Sequence, residues 1–333
     1  MKRRALLGSL VGAAGLSAFG RLHAAEPKAP ARLSTDRPPL GFGVYLGAGC
    51  SGAERLGDYE RWLRREVDQT LEFISWQVLE AGRAWAVNCW DKSGQKNVVY
   101  SLPMLPPNRS AKLADGASGK FDALFSQYGG FLVKHGYGRS TIRIGWEFNA
   151  EWYPWAASHD PKSWAAYWRR IVDTLRKTPD SDFKFDWSVA GSARGFDAEK
   201  AYPGDDYVDV IGLDFYNTKV DEQRNTTQTR WESRKTMQHG LQWHRDFARG
   251  HGKPMSLPEW GTGVHVKWGG PPDDPYFIEN MAAWIRENDI AYHNYWEYRN
   301  KDYDSRLSDD RQPQAAAAFL KAFGGKRAKP AGA

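Results

Sequence analysis

VDVIGLDFYN, residues 208–217, opens on aliphatic and β-branched residues and closes on a carboxylate, two aromatic rings and an amide. An apolar run of this length reads as a buried strand passing into a polar loop. The same form recurs at FKFDWSVAG (183–191), PMSLPEWG (254–261) and IAYHNYWEYR (290–299). Upstream lie GFGVYLGA (41–48), a run around 71–76, VVYSLPML (98–105) and TIRIGWEFN (141–149). The spacing predicts helices over 56–67, 121–136, 161–177, 231–250, 275–288 and 313–323. Strands that alternate with amphipathic helices form a parallel sheet wound by helices. Eight such strands, without an internal repeat or a second domain, predict a single (β/α)8 TIM barrel over residues 40–325.

Local signals agree with that reading. Trp164, Trp168, Ile171 and Leu175 follow one another at helical spacing and form one buried stripe. Asp160-Pro161 and Asp274-Pro275 each put a capping carboxylate ahead of a proline at the first helical position. Residues 77–97 break the alternation and read as an inserted loop that carries Trp85, Cys89 and Trp90 over the active-site face.

The chain has 333 residues and a formal charge of +6, with Lys2, Arg3 and Arg4 ahead of an apolar run from Ala5 to Phe19. That run has the form of an export signal, too short to span a bilayer comfortably, and Arg3-Arg4 suits the twin-arginine route. The expected organisation is a signal peptide over 1–25, a linker over 26–39, the barrel, and a disordered tail over 326–333. Removing the first 25 residues takes away four cations and no acid, which lowers the charge to +2. The mature domain then has no basic cluster to hold nucleic acid and no segment for membrane insertion. It is expected to be an exported monomer, periplasmic or secreted. Cys50 and Cys89 permit one disulfide in an oxidising compartment or remain as two thiols. The eight histidines show no metal-ligand spacing, so neither a metal nor a cofactor is expected.

The chemistry is expected where the strands end, because barrels of this kind build their sites at the C-terminal ends of the strands. Glu147 closes the fourth predicted strand, Asp214 the sixth and Glu259 the seventh, each among aromatics rather than solvating charges. Burial between Trp146 and Phe148 would favour the neutral form of Glu147, as a general acid requires. Two carboxyl groups facing one cleft at ~5 Å permit a covalent glycosyl-enzyme. The high aromatic content, 14% of residues with 16 Trp, suits a surface that stacks on sugar rings. Asn149 either binds substrate or caps the turn after the fourth strand. Tyr153 and Trp155 either wall a subsite or pack their own loop, and Asp302, Asp304, Asp309 and Asp310 read as a solvated acidic loop rather than a calcium site.

RIGWEFNAEWYPW (143–155), YPGDDYVDVIGLDFYN (202–217) and PEWG (258–261), in this order, resemble glycoside hydrolase family 26, the family of β-mannanases and related endo-glycanases. The resemblance implies Glu147 as acid/base and Glu259 as nucleophile. It also implies Arg143 as an active-site arginine and Tyr216 as the donor that orients the nucleophile. Trp152 and Trp296 would line sugar subsites, and Asp214 would lie near the reactive ring. The family usually has His directly before the acid/base, where this chain has Trp146, which points to a different sugar in the reactive subsite. The expected function is therefore retaining endo-hydrolysis of a β-linked polysaccharide. Trimming of the cell's own exopolysaccharide and non-catalytic polysaccharide binding are the competing readings.

Overall fold

A computed structural model describes residues 41–82, 85–191, 193–218, 226–267, 269–271 and 273–325. The expected signal peptide, linker and tail lie outside these residues. Ten strands are present among them: β1 (Gly41–Tyr45), β2 (Gln69–Phe73), β3 (Val98–Leu102), β4 (Thr141–Ile144), β5 (Lys184–Ala190), β6 (Val210–Asn217), β7 (Met255–Thr262), β8 (Val264–His265), β9 (Ile290–Trp296) and β10 (Tyr303–Asp304). β1 to β7 and β9 close a barrel, each parallel to its neighbours, with β9 returning to β1. β8 and β10 form a short antiparallel ribbon outside it. The architecture is a (β/α)8 TIM barrel, and no helix among the described residues is long and apolar enough to cross a membrane.

Side chains alternate between the barrel interior and the surrounding helices, as the pleat requires. On β2, Gln69 bonds Asn294 across the interior and Leu71 packs on inward-facing rings, while Glu72 points to the helices. The stripe of Trp164, Trp168, Ile171 and Leu175 is buried in helix Pro161–Arg176. Asp160 and Asp274 cap their helices as expected, accepting from the backbone N–H groups of Ser163 and Phe277.

Four local expectations are corrected. Residues 77–97 are not a loop: helices Trp76–Glu80 and Trp85–Ser93 occupy most of the segment. The buried Trp90 donates to Glu72 at 2.7 Å, so Trp90, with Ala86 and Val87, packs against the barrel, and only Trp85 of these residues is left exposed. The predicted helix 231–250 is two helices, Thr227–Thr236 and Leu241–Gly250. The break falls at His239, whose φ of 55° is left-handed, and Gly240, where a Cβ would come within 2.4 Å of the Arg234 carbonyl oxygen. The predicted helix 56–67 begins earlier, at Cys50, and stops at Leu63, with Arg64 left-handed. β4 also ends at Ile144, so Glu147 lies three residues beyond the strand that it was expected to close.

Cys50 and Cys89 are bonded to each other, and both lie in helices rather than in loops. The bond joins the start of helix Cys50–Leu63 to helix Trp85–Ser93. Protein denatured without reductant is expected to show no free thiol in a dithionitrobenzoate assay. The Cys89→Ser variant should lose about 2–4 kcal/mol in a denaturant titration; titratable thiols in the unreduced parent would refute the bond.

Candidate active site

Arg143, on β4, is buried inside the barrel and spends its guanidinium on four side chains. Nη2 donates to Asp214 Oδ2 at 2.6 Å and Nη1 to Glu259 Oε1 at 3.0 Å. Nη1 also donates to Ser101 Oγ at 3.0 Å, and Nε donates to Ser188 Oγ at 3.1 Å. One cation thus bridges two carboxylates through a planar fork that lysine does not have. The Ser188 hydroxyl passes the network down to Asp186, which also accepts from Ser256 and, at 2.6 Å, from Tyr292. The resulting column of polar groups runs from the barrel interior to its mouth.

Glu259 reaches that column through a fault in β7. Between Leu257 and Trp260, β7 has one residue more than β9 opposite it, and also one more than β6 on its other side. Such a bulge upsets the strict in-and-out alternation, and proline is tolerated there because it has no N–H to lose. Ser256 faces inward on Asp186, and Pro258 lies where a Cβ on Gly212 would come within 3.0 Å of it. Glu259 also turns inward, and Trp260 faces out onto His293 and Tyr295. Tyr216 completes the setting by donating its hydroxyl to Glu259 Oε2 at 2.7 Å. Both carboxylate oxygens therefore receive a directed donor.

Glu147 stands on the turn that follows β4. Its φ is 54°, left-handed, and Gly145 two residues earlier is at 55°. Such conformations are uncommon for a side-chain-bearing residue and persist only where the surroundings enforce them. Here the Glu147 N–H bonds the Ser188 carbonyl at 3.0 Å, and the Glu147 carbonyl accepts from Ala150 N–H. The Trp152 indole donates to Glu147 Oε2 at 2.9 Å. Burial, and next the nearby charge of Glu259, push the Glu147 carboxyl up to about 8, against the opposing effects of Trp152 and Arg143. Phe148 takes no part in this, because it turns away into the helix layer against Trp164 and Trp187.

The remaining candidates separate clearly. Asp214 lies within β6 rather than at its end, and burial raises its carboxyl well above the usual range, with Arg143 opposing and Glu259 adding. Its Oδ1 is buried and has no hydrogen-bond partner among the described residues. Trp296 stacks on Tyr45 at 4.1 Å and meets Tyr216 edge-on. Trp146 is nearly buried: its indole donates to the Tyr153 hydroxyl, and its ring meets Phe73, Tyr153 and Trp155 edge-on. Trp152 is 47% exposed and stands at the rim. Asn149 clamps Ala190, its amide accepting from Ala190 N–H and donating to Ala190 O, and it also lines the cavity beside the Glu147 turn. Tyr153 and Trp155 stack on each other at 4.6 Å, and Asp304 and Asp309 are paired with Arg306 and Arg311.

Beside the Glu147 turn lies a cavity of about 590 Å³ whose lining includes Trp152, Ala193, Arg194, Phe196 and Thr218. Tyr45, Phe73 and Trp296 form an aromatic wall from β1, β2 and β9. Tyr45, Phe73, Ser101 and Ser188 were not singled out from sequence. All four were accessible to a parity argument, since each sits on the inward phase of its strand.

Removing the bridging cation should be severe. Arg143→Met leaves Asp214 and Glu259 buried without a counter-charge, and a loss of about 3–5 kcal/mol is expected in chemical denaturation; a loss of under about 1 kcal/mol would refute the bridge. Glu147 contributes a pH dependence of known sign. Its proton is held more tightly in the folded chain than in the unfolded one, so its contribution to stability is complete below about pH 4.5. That contribution is lost as pH rises through about 8. Glu147→Gln should remove this decline from the stability profile, and Trp152→Phe, which deletes a donor to the anion, should move it to higher pH.

Known proteins resemble this chain in sequence and in fold. The model for Glycosyl hydrolase family 26 matches residues 141–230, a span that holds Arg143, Glu147, Asp214 and Tyr216. Endoglucanase H of Acetivibrio thermocellus is 25% identical over 315 residues, 87% of this chain and 31% of that protein. Mannan endo-1,4-beta-mannosidase of Bifidobacterium adolescentis is 30% identical over 159 residues, 45% of this chain and 15% of that protein. The chain thus spans less than a third of the length of either relative. Among solved structures, GH26C from a Muricauda species has a TM-score of 0.62 at 18% identity, covering 85% of this chain and 84% of its own. The catalytic domain of the Bacillus sp. JAMB-750 GH26 endo-beta-1,4-mannanase has a TM-score of 0.61 at 16% identity, with 85% of each chain covered. The chain is thus similar to glycosyl hydrolase family 26 over the strands that carry the buried arginine and the Glu147 turn.

Proposed function

We propose that the protein is a retaining endo-β-glycanase that hydrolyses a β-linked polysaccharide, with Glu259 as nucleophile and Glu147 as acid/base. The observation that carries this reading is the unequal setting of the two glutamates. Glu259 receives Arg143 and Tyr216 on its two oxygens, which suits an acceptor carboxylate aimed at a fixed point. Glu147, pushed up to about 8, retains a proton at neutral pH.

In the first step a Glu259 oxygen forms a bond to the anomeric carbon as the bond to the leaving oxygen breaks, and the Glu147 proton passes to that oxygen. In the second step Glu147, now a carboxylate, takes a proton from water. The water oxygen attacks the anomeric carbon, and the ester to Glu259 is released. The Trp152 N–H is positioned to stabilise Glu147 in its anionic phase.

The relatives named for endoglucanase and mannanase activities support a backbone of β-linked glucose or mannose units. Trp146, where the resembled family usually has His, supports a sugar preference of its own. Action outside the cytoplasm is supported by the Lys2-to-Phe19 segment and by the disulfide.

The test is release of reducing ends from galactomannan, mixed-linkage β-glucan, β-xylan and bacterial exopolysaccharides, with the fresh product's anomeric configuration followed by proton NMR. Hydrolysis with the β-anomer formed first is expected; an α-product, or binding without cleavage, would overturn the reading. Glu259→Ala should abolish turnover. Glu147→Ala should retain partial activity on activated aryl glycosides, and azide should accelerate it with a β-glycosyl azide as product. Absence of azide rescue in both variants would remove the assigned roles.

A further inference from the structure

Among the described residues, two tryptophans are largely exposed: Trp152 at 47%, beside Glu147, and Trp85 at 48%, at the start of helix Trp85–Ser93. Trp85 lies against the turn that leaves β1 at the mouth of the barrel. A Cβ on Gly49 would come within 1.8 Å of the Trp85 ring, and a Cβ on Gly47 would come within 3.0 Å of the Tyr298 ring. Both glycines have left-handed φ, 59° and 121°, so the turn is bare backbone covered by two aromatic rings. Tyr298 in turn meets Tyr45 edge-on at 5.3 Å, and Tyr45 stacks on Trp296. The aromatic wall of the cleft thus runs from Trp296 through Tyr45 to Tyr298 over Gly47, and Trp85 lies over Gly49 in the same turn.

The direction of this wall follows from the proposed mechanism, on which this inference rests. Glu147 protonates the leaving oxygen, so the leaving part of the chain lies toward Trp152 and the adjoining cavity. The wall on β1 and β9 then flanks the opposite, glycone side. The helix that carries Trp85 is held firmly. Cys89 is bonded to Cys50, and Val87 is buried. Trp90 donates to Glu72, which also accepts from the Gly49 N–H at 2.6 Å. An indole displayed in water on a scaffold pinned at these points is preorganised for a flat apolar partner.

We propose that Trp85 is the distal sugar-binding platform of the glycone side, stacking on the apolar face of a pyranose ring remote from the cleaved bond, and that the Cys50–Cys89 bond holds it in place. A purely structural role would be to cover Gly49, and it predicts a loss of stability instead of a loss of long-chain affinity.

The experiment compares the parent, Trp85→Ala and Trp85→Phe on an aryl glycoside too short to reach Trp85, and on oligosaccharides of increasing length from the polysaccharide that the parent degrades. Trp85→Ala should match the parent on the aryl glycoside. Its KM on the longer oligosaccharides should rise about tenfold at unchanged kcat, and Trp85→Phe should recover part of that difference. In parallel, gel retardation of the parent and Trp85→Ala is compared in galactomannan and in mixed-linkage β-glucan, and is expected to weaken in the variant. Equal length dependence in parent and variant overturns the proposal while the glycanase reading stands. If the parent cleaves nothing, the glycanase reading falls, and equal retardation of parent and variant overturns the platform as well. A Trp85→Ala protein that loses rate equally on short and long substrates, with lowered thermal stability, assigns the residue to structure alone.

Discussion

A single buried cation sets the terms for the inside of this barrel. The Arg143 guanidinium is fully buried, so its charge is tolerable only with carboxylates at hydrogen-bond distance, and Asp214 and Glu259 are tolerable only with it. Three strands are thereby locked in mutual register near the mouth: β4 through Arg143, β6 through Asp214 and β7 through Glu259. Ser101 and Ser188 tie β3 and β5 to the same group. A hydrophobic core could hold these strands together as strongly. It could not aim two oxygens of Glu259 at fixed donors.

Two irregularities convert that frame into a site with unlike carboxyl groups. The extra residue in β7 brings Glu259 in from a phase of the strand that regular pleating would have turned outward. The left-handed turn after β4 lifts Glu147 beyond the strand, where Trp152 meets it. Neither feature arises from the apolar packing of the helix layer, which continues undisturbed beneath both, with Phe148 against Trp164 and Trp260 against Tyr295. The core is regular where it bears load, and the backbone departs from regularity at the two glutamates.

The outer layer shows how much of this was legible in the chain. The helix Pro161–Arg176 begins on its Asp-Pro cap and buries its four-residue stripe as the spacing predicts, because a cap and a period are local properties of consecutive residues. The helices of 85–93 and 227–250 were harder. Trp85, Cys89 and Trp90 looked like a lid because aromatics at no obvious strand position suggest a cleft. In the structure Trp90 is satisfied by Glu72, thirteen residues before Trp85, and Cys89 by Cys50. The break at His239-Gly240 depends on a carbonyl from the preceding helix that leaves no room for a side chain.

By itself the sequence determined the barrel and singled out the two glutamates as candidates. Eight apolar runs alternating with amphipathic helices can bury their faces in few other ways, and carboxylates set among tryptophans at the ends of such runs are uncommon enough to stand out. Tertiary structure alone decided what each carboxyl group meets. Glu147 was expected to be desolvated by its neighbours in the chain, yet Phe148 points away, and the group that touches it is Trp152. Arg143 was one candidate among several until closure of the barrel placed it between Asp214 and Glu259, residues 71 and 116 positions away along the chain. Asn149 had the chemistry of a turn cap, and the closed fold sets its amide on Ala190 across to the next strand. Local pattern specifies which side of an element is apolar. Electrostatic partners are fixed by distances of about 3 Å in space, and only the closed fold sets those.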